Sequence, residues 1–300
     1  MNRECSRPAI VAGAMCILLG LAACQPRSDN TEADPTSADR KVETSGESAG
    51  STGSPDSTPA AGAERAVVAE TLPYAEVDDE LFYGHFVFPS DMVEPLPALI
   101  VVHEWWGLND DVRAAADKLA AEGYIVLAID LFGGKTADLP ASARELMLEV
   151  LENPESANEN IRQAYAFVRD TAGAPTVGSV GWDFGGAWAL NTALLFPDDL
   201  DAVVIYYGQV IDSADKLAPL NVPILGLFAE NDRVITVESV QKFQDALDSL
   251  GKTYEIEIFP GTGHAFANPK ANHYDAAVAA QAWQRTVEFL DQYLSPDAAN

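Results

Sequence analysis

Asp183 stands at the centre of the run Gly181-Trp182-Asp183-Phe184-Gly185. A short apolar run, VGSVGW, leads into it, and a small-residue run, FGGAWAL, leads away. Glycines at this spacing let a strand turn sharply into a helix, with the central side chain pushed outward toward a reagent. That side chain is a carboxylate here, where a hydroxyl or thiol is the usual activated nucleophile. Downstream lie Asp232, in FAENDRVIT, and His264, in FPGTGHAFAN; upstream lies Glu104, in HEWWGLND. A histidine near carboxylates can move protons as acid or base. A carboxylate at an exposed turn can activate water or attack carbon itself.

These residues need a frame that gathers them, and the hydrophobic pattern supplies one. Residues 81–89 read as a strand of an early meander. The runs 97–107, 124–134, 176–183, 200–208, 222–232 and 253–261 read as further strands, the first of them apolar enough to be buried on both faces. Residues 109–123, 157–173, 184–196, 238–251 and 274–294 have helical spacing. Strands alternating with helices predict an α/β domain, a mostly parallel central sheet with helices on both faces and right-handed crossovers. The domain is expected to span 70–300, without internal repeats. Reactive residues collect at the carboxyl ends of strands in such a sheet. His103-Glu104-Trp105-Trp106-Gly107, Asp183, Asp232 and His264 all fall there.

The motifs HEWWGLND, GWDFGG, VVIYYG, FAENDRVIT and FPGTGHAFAN, followed by AWQRTVEFL, occur in a distinctive order. From about Leu81 to Leu294 the sequence resembles the dienelactone hydrolase family, of the α/β-hydrolase fold. That family opens lactones and esters with a Cys–His–Asp triad and a Glu near the thiol. The resemblance puts Asp183 at the nucleophile position, Asp232 as the triad acid, His264 as the base and Glu104 as the elbow-facing Glu. It implies that the backbone N–H groups of Phe184 and Trp105 form the oxyanion hole; Trp106, beside Glu104, and Tyr207, closing its strand, are expected to shape the pocket. An Arg common in the family four residues after the His is replaced by Asn268, leaving Lys135 or Lys270 as the candidate to hold a substrate carboxylate.

Asp at the elbow leaves three readings open. In the first, the chain hydrolyses an ester or lactone, with Asp183 acting as a base on water or through a mixed anhydride, and His264 as the acid. In the second, Asp183 attacks a saturated carbon, as in dehalogenases and epoxide hydrolases, and water activated by His264 releases the alkyl ester. In the third, catalysis is lost and the chain binds a ligand. In each, Glu104 and Asp183 sharing a pocket disfavour joint ionisation, so one of them should hold its proton to higher pH. His103 is expected to be a structural hydrogen-bonder, His85 and His273 to lack chemistry, and Trp182 and Trp188 to be core residues.

The rest of the chain narrows the setting. All three cysteines lie in the first 24 residues, so the domain has no disulfide, thiolate metal site or Cys nucleophile. The N-terminus is weakly basic, then apolar from about Pro8, and ends in Leu21-Ala22-Ala23-Cys24. This resembles a bacterial lipoprotein signal over 1–23, with Cys24 as the acylated residue anchoring the protein to a membrane after export. Residues 24–69, rich in Ser, Thr, Gly, Pro and acid, read as a tether unable to bury a core. The formal charge of −28, from 18 basic and 46 acidic residues, makes nucleic acid a poor partner. No dinucleotide or P-loop signature and no short metal-ligand spacing occurs, so no cofactor or metal is expected, and the partner is a small-molecule substrate.

Overall fold

The computed structural model describes residues 65–295; the expected signal, Cys24 and the tether up to residue 64 lie outside them. An eight-stranded sheet runs in the order β1-β2-β4-β3-β5-β6-β7-β8. Its strands are β1 (Val67–Val77), β2 (Glu80–Pro89), β3 (Ala98–Val102), β4 (Ile125–Ile129), β5 (Val177–Trp182), β6 (Ala202–Tyr206), β7 (Ile224–Ala229) and β8 (Tyr254–Phe259). β1 and β2 form an antiparallel hairpin, β2 runs antiparallel to β4, and the strands from β4 to β8 are parallel. Every residue of β3, β4, β5, β6 and β7 is buried, as their unbroken apolar runs require in a sheet covered on both faces.

Helices α1 (Asp110–Ala121) and α7 (Ala276–Leu294) cover one face. Helices α2 (Pro140–Glu152), α3 (Pro154–Ala166), α4 (Phe184–Leu195), α5 (Ala214–Leu217) and α6 (Val237–Ser249) cover the other. The start of α1 is written in its sequence. The Asn109 side chain accepts the N–H groups of Asp111 and Val112 at 3.1 and 3.2 Å, and two aspartates occupy the positive end of the helix dipole.

β3 and β4 end at Val102 and Ile129, several residues before the apolar runs that predicted them. After β4 the Asp130 carboxylate accepts the N–H of Phe132 at 2.8 Å and that of Gly134, folding the chain into a turn. β1 begins at Val67, ahead of the expected domain start, and α2 was not expected at all. The sequence of α2 hides its period. Ala143, Leu146 and Val150 face inward, but Leu148 and Leu151 are exposed, so apolar residues occur on more than one face. The predicted helix at 157–173 begins earlier, at Pro154, and its last turn widens into a π-turn over Phe167–Thr171.

The site is set by the junction of β5 and α4, where backbones touch. A Cβ on Gly181 would lie 2.0 Å from the carbonyl oxygen of Gly185, and one on Gly185 would lie 2.2 Å from that of Val102. Neither neighbour is a side chain that can swing aside. Gly185→Ala should therefore destabilise the fold by about 3 kcal/mol or more, the upper end of overpacking costs. Chemical denaturation measures this, and a loss below about 1 kcal/mol would contradict so close an approach.

Candidate active site

At this junction Asp183 takes φ 54° and ψ −116°. A non-glycine residue there carries strain of about 1–3 kcal/mol, which the surrounding packing must hold. Its N–H donates to the Tyr206 carbonyl at 3.0 Å, and its own carbonyl accepts from Gly186 at 3.0 Å. The backbone is thus pinned to β6 and α4, while the carboxylate caps no helical N–H. It points to the loop after β8, where His264 lies.

His264 joins two carboxylates. Its Nδ1–H donates to Asp232 Oδ2 at 2.7 Å and its Nε2–H to Asp183 Oδ1 at 3.0 Å. The Asp232 side chain has no exposed surface, whereas Asp183 and His264 are 23% and 26% exposed, so solvent or a substrate meets the latter two. A carboxylate at each ring nitrogen fits the doubly protonated ring, because a neutral ring would turn one lone pair toward a carboxylate oxygen. Burial pushes the imidazolium down, but the hydrogen bonds and charges of Asp183 and Asp232 outweigh it and raise it to about 10. Burial likewise works against ionised Asp232, yet bonds from His264 and from the N–H groups of Ile235 and Val234 hold its carboxyl below the ordinary range.

Glu104 sits beside this chain, 8% exposed. Its Oε1 accepts the Tyr207 hydroxyl at 3.2 Å and its Oε2 the Asn268 amide N–H at 2.5 Å. The Asn268 side-chain Oδ1 accepts the Lys270 backbone N–H, which leaves the amide nitrogen for Glu104. Burial, and then the charge of Asp183, push the Glu104 carboxyl up to about 7; the two hydrogen bonds only partly oppose them. His103 supports the backbone here. Its Nδ1–H donates to the Glu104 carbonyl at 2.7 Å and its Nε2 accepts the Leu131 N–H at 3.1 Å, which fixes one neutral tautomer. Burial keeps that ring below its ordinary value.

The structure therefore brings Glu104, Asp183, Asp232 and His264 together, with Tyr207 against them. Tyr207 holds a left-handed φ of 37°, and its ring meets that of His264 edge to face with the ring centres 5.4 Å apart. Phe184 opens α4 and stacks on His103, and its N–H, like that of Trp105, has no backbone acceptor among the described residues. Trp105 and Trp106 pair at 4.8 Å between ring centres, half-buried beside the core. The two lysines go elsewhere. Lys135 pairs with Glu149 at 3.0 Å and Lys270 with Asp111 at 2.8 Å. Asn268, which in the sequence reads only as the loss of an arginine, holds Glu104 through its amide. Its place four residues after His264 was the available signal.

Comparison with known proteins gives the family and the fold. The model of the dienelactone hydrolase family matches residues 82–294. A protein of Aquifex aeolicus, provisionally named a carboxymethylenebutenolidase, is 33% identical over 205 residues, 66% of this chain and 89% of its own length. A solved structure from Klebsiella pneumoniae, provisionally named a dienelactone hydrolase, superposes with TM-score 0.68 at 25% identity, covering 76% of this chain and all of that one. A dienelactone hydrolase-like promiscuous phosphotriesterase from metagenomic libraries gives TM-score 0.71 at 21% identity over 77% of this chain, a likeness of fold.

Glu104 should titrate visibly. Its protonated carboxyl band in difference infrared spectra should persist at mildly acidic pH, vanish as pH rises through about 7, and be absent from Glu104→Gln. Asn268→Arg should move that transition down by roughly one to three units, the effect of an adjacent cation. A Glu104 fully ionised at pH 5 would contradict the burial and charge crowding described.

Proposed function

Because the chain belongs to the dienelactone hydrolase family, we propose that this hydrolase cleaves a small ester or lactone with Asp183 as the base that activates water and His264 as the acid that protonates the leaving oxygen. The observation that carries the reading is the imidazole held at both nitrogens by carboxylates. A thiol or hydroxyl nucleophile needs a neutral histidine to take its proton. Here the ring already carries that proton, and the elbow residue is already an anion. The resting site is thus poised in the reverse sense, as base plus acid.

The cycle closes on these two residues. Water gives a proton to Asp183 as its oxygen attacks the ester carbonyl. The N–H groups of Phe184 and Trp105 receive the developing oxyanion, at roughly 3 kcal/mol for each well-placed donor. The tetrahedral intermediate collapses, the bond to the alkoxy oxygen breaks, and His264 gives that oxygen its Nε2 proton. Asp183 then returns its proton to His264 across the 3.0 Å contact, which restores the ion pair. Attack by Asp183 itself on an ester is the poorer route, since the tetrahedral adduct would expel the Asp183 carboxylate in preference to most alkoxides and revert to the ester.

Export and acylation of Cys24 belong to the same proposal, supported by the Leu-Ala-Ala-Cys run alone. Labelling with radioactive palmitate in a bacterial host should mark the protein, and Cys24→Ser should abolish the mark.

A single turnover in heavy-oxygen water tests the chemistry. The label should enter the carboxylic product and not the Asp183 side chain. Asp183→Asn and His264→Ala should each lower kcat by about 10²–10⁴, the usual range for positioned proton transfer. The rate should fall as pH rises through about 10, where His264 loses the proton it donates. Label recovered in Asp183 would overturn the base reading in favour of a covalent intermediate on Asp183, either the alkyl ester of attack at saturated carbon or a mixed anhydride. Absence of turnover with activated esters, with His264→Ala behaving as the wild type, would point to a binding protein.

A further inference from the structure

A cavity of about 380 Å³ lies on the α1 and α7 face of the sheet. Its existence follows from small residues. α1 presents Ala115 and α7 presents Ala279 along its sides, where larger residues would close the space between the helices. Trp182 and Trp283 also line it, so its body is apolar and flat-walled. For scale, an apolar cavity of about 150 Å³ holds benzene. The volume suits two fused rings, and lies in the ordinary range for ligand pockets.

The cavity borders the site through residues that hydrogen-bond beside the reacting groups, although Asp183 and His264 do not themselves line it. Glu104, Tyr207 and Asn268 line it, and these are the three residues joined by the Glu104 hydrogen bonds. Tyr207 also sets its ring edge against His264. Ala267, Asn268 and Pro269 line it as well, so it opens beside the His264 loop. In the cycle above His264 protonates the departing alcohol, so this is the leaving-group side. Charge narrows the occupant further. The Glu104 carboxyl at the rim keeps its proton to about pH 7, and the Asp111 carboxylate that also lines the cavity is already paired with Lys270 at 2.8 Å, so neither offers a free charge to a ligand. The Lys118 ammonium already covers the Trp283 ring at 3.7 Å, so a cationic ligand would meet a like charge.

We propose that this cavity receives the alcohol portion of the ester and that the preferred substrates carry an uncharged, ring-bearing alcohol on a small acyl group. The assignment rests on the hydrolase reading above and names the substrate class for it. Glu104, held by Tyr207 and Asn268, forms the rim that the cavity shares with the reacting site.

Three esters and one alcohol test it. 1-Naphthyl acetate carries the rings on the alcohol, methyl 1-naphthylacetate carries them on the acyl group, and methyl acetate has none. Ala115→Phe and Ala279→Phe, each filling the cavity, should raise KM for 1-naphthyl acetate about tenfold or more and change kcat/KM for methyl acetate less than about twofold. Calorimetry with 1-naphthalenemethanol should detect binding to the wild type and to Asp183→Asn, weakened tenfold or more in Ala279→Phe. The binding arm needs no turnover, so binding that Ala279→Phe abolishes supports the cavity even if the hydrolytic reading fails. Rejection of methyl 1-naphthylacetate in place of 1-naphthyl acetate by the filled variants would overturn the alcohol assignment. Equal binding by wild type and filled variants, or no binding up to the solubility of the alcohol, would overturn the cavity as a subsite.

Discussion

The site depends on one imidazole shared between two carboxylates. Asp232 comes from the loop after β7, His264 from the loop after β8 and Asp183 from the elbow after β5. The two hydrogen bonds therefore tie together three segments far apart in sequence. They also compensate one another electrically. The imidazolium would be costly in its partly buried position without both anions, and the anions would repel each other without the ring. The strained backbone of Asp183 fits this picture, since backbone bonds on either side of the residue and the crowded glycines behind it leave the carboxylate no other direction.

Glu104 shows what happens to a carboxylate left outside that compensation. Its partners, Tyr207 and Asn268, are neutral donors. Neutral hydrogen bonds offset part of the burial cost but not the field of Asp183, so the carboxyl holds its proton to about pH 7. An arginine at position 268 would have removed that penalty and made the pocket attractive to anionic substrates. With asparagine there, Glu104, Asp183 and Asp232 face a single imidazolium, an arrangement that disfavours anions. The strongly acidic composition of the whole chain points the same way.

Much of this was legible in the sequence. The buried strands announced themselves as unbroken apolar runs, and α1 by its Asn109 cap and acidic first turn, because these signals are local. The elbow was legible for the same reason, as glycine spacing reports a backbone contact within a few residues. α2 was not, because its apolar residues spread beyond one face, and β1 was not, because its hairpin with β2 lies in a stretch with little alternation.

The sequence by itself determined the α/β alternation, the turn that displays Asp183, and the kinds of groups available at the strand ends. Only the tertiary structure decided how those groups share charge. Whether His264 meets one carboxylate or two, whether Asn268 reaches Glu104, whether Lys135 turns away to Glu149, and whether the alanines of α1 and α7 leave a cavity between them all depend on distances between distant segments. Hydrogen bonds and charge coupling in a low-dielectric site change strongly over an ångström or two, and residue order along the chain carries no such distance.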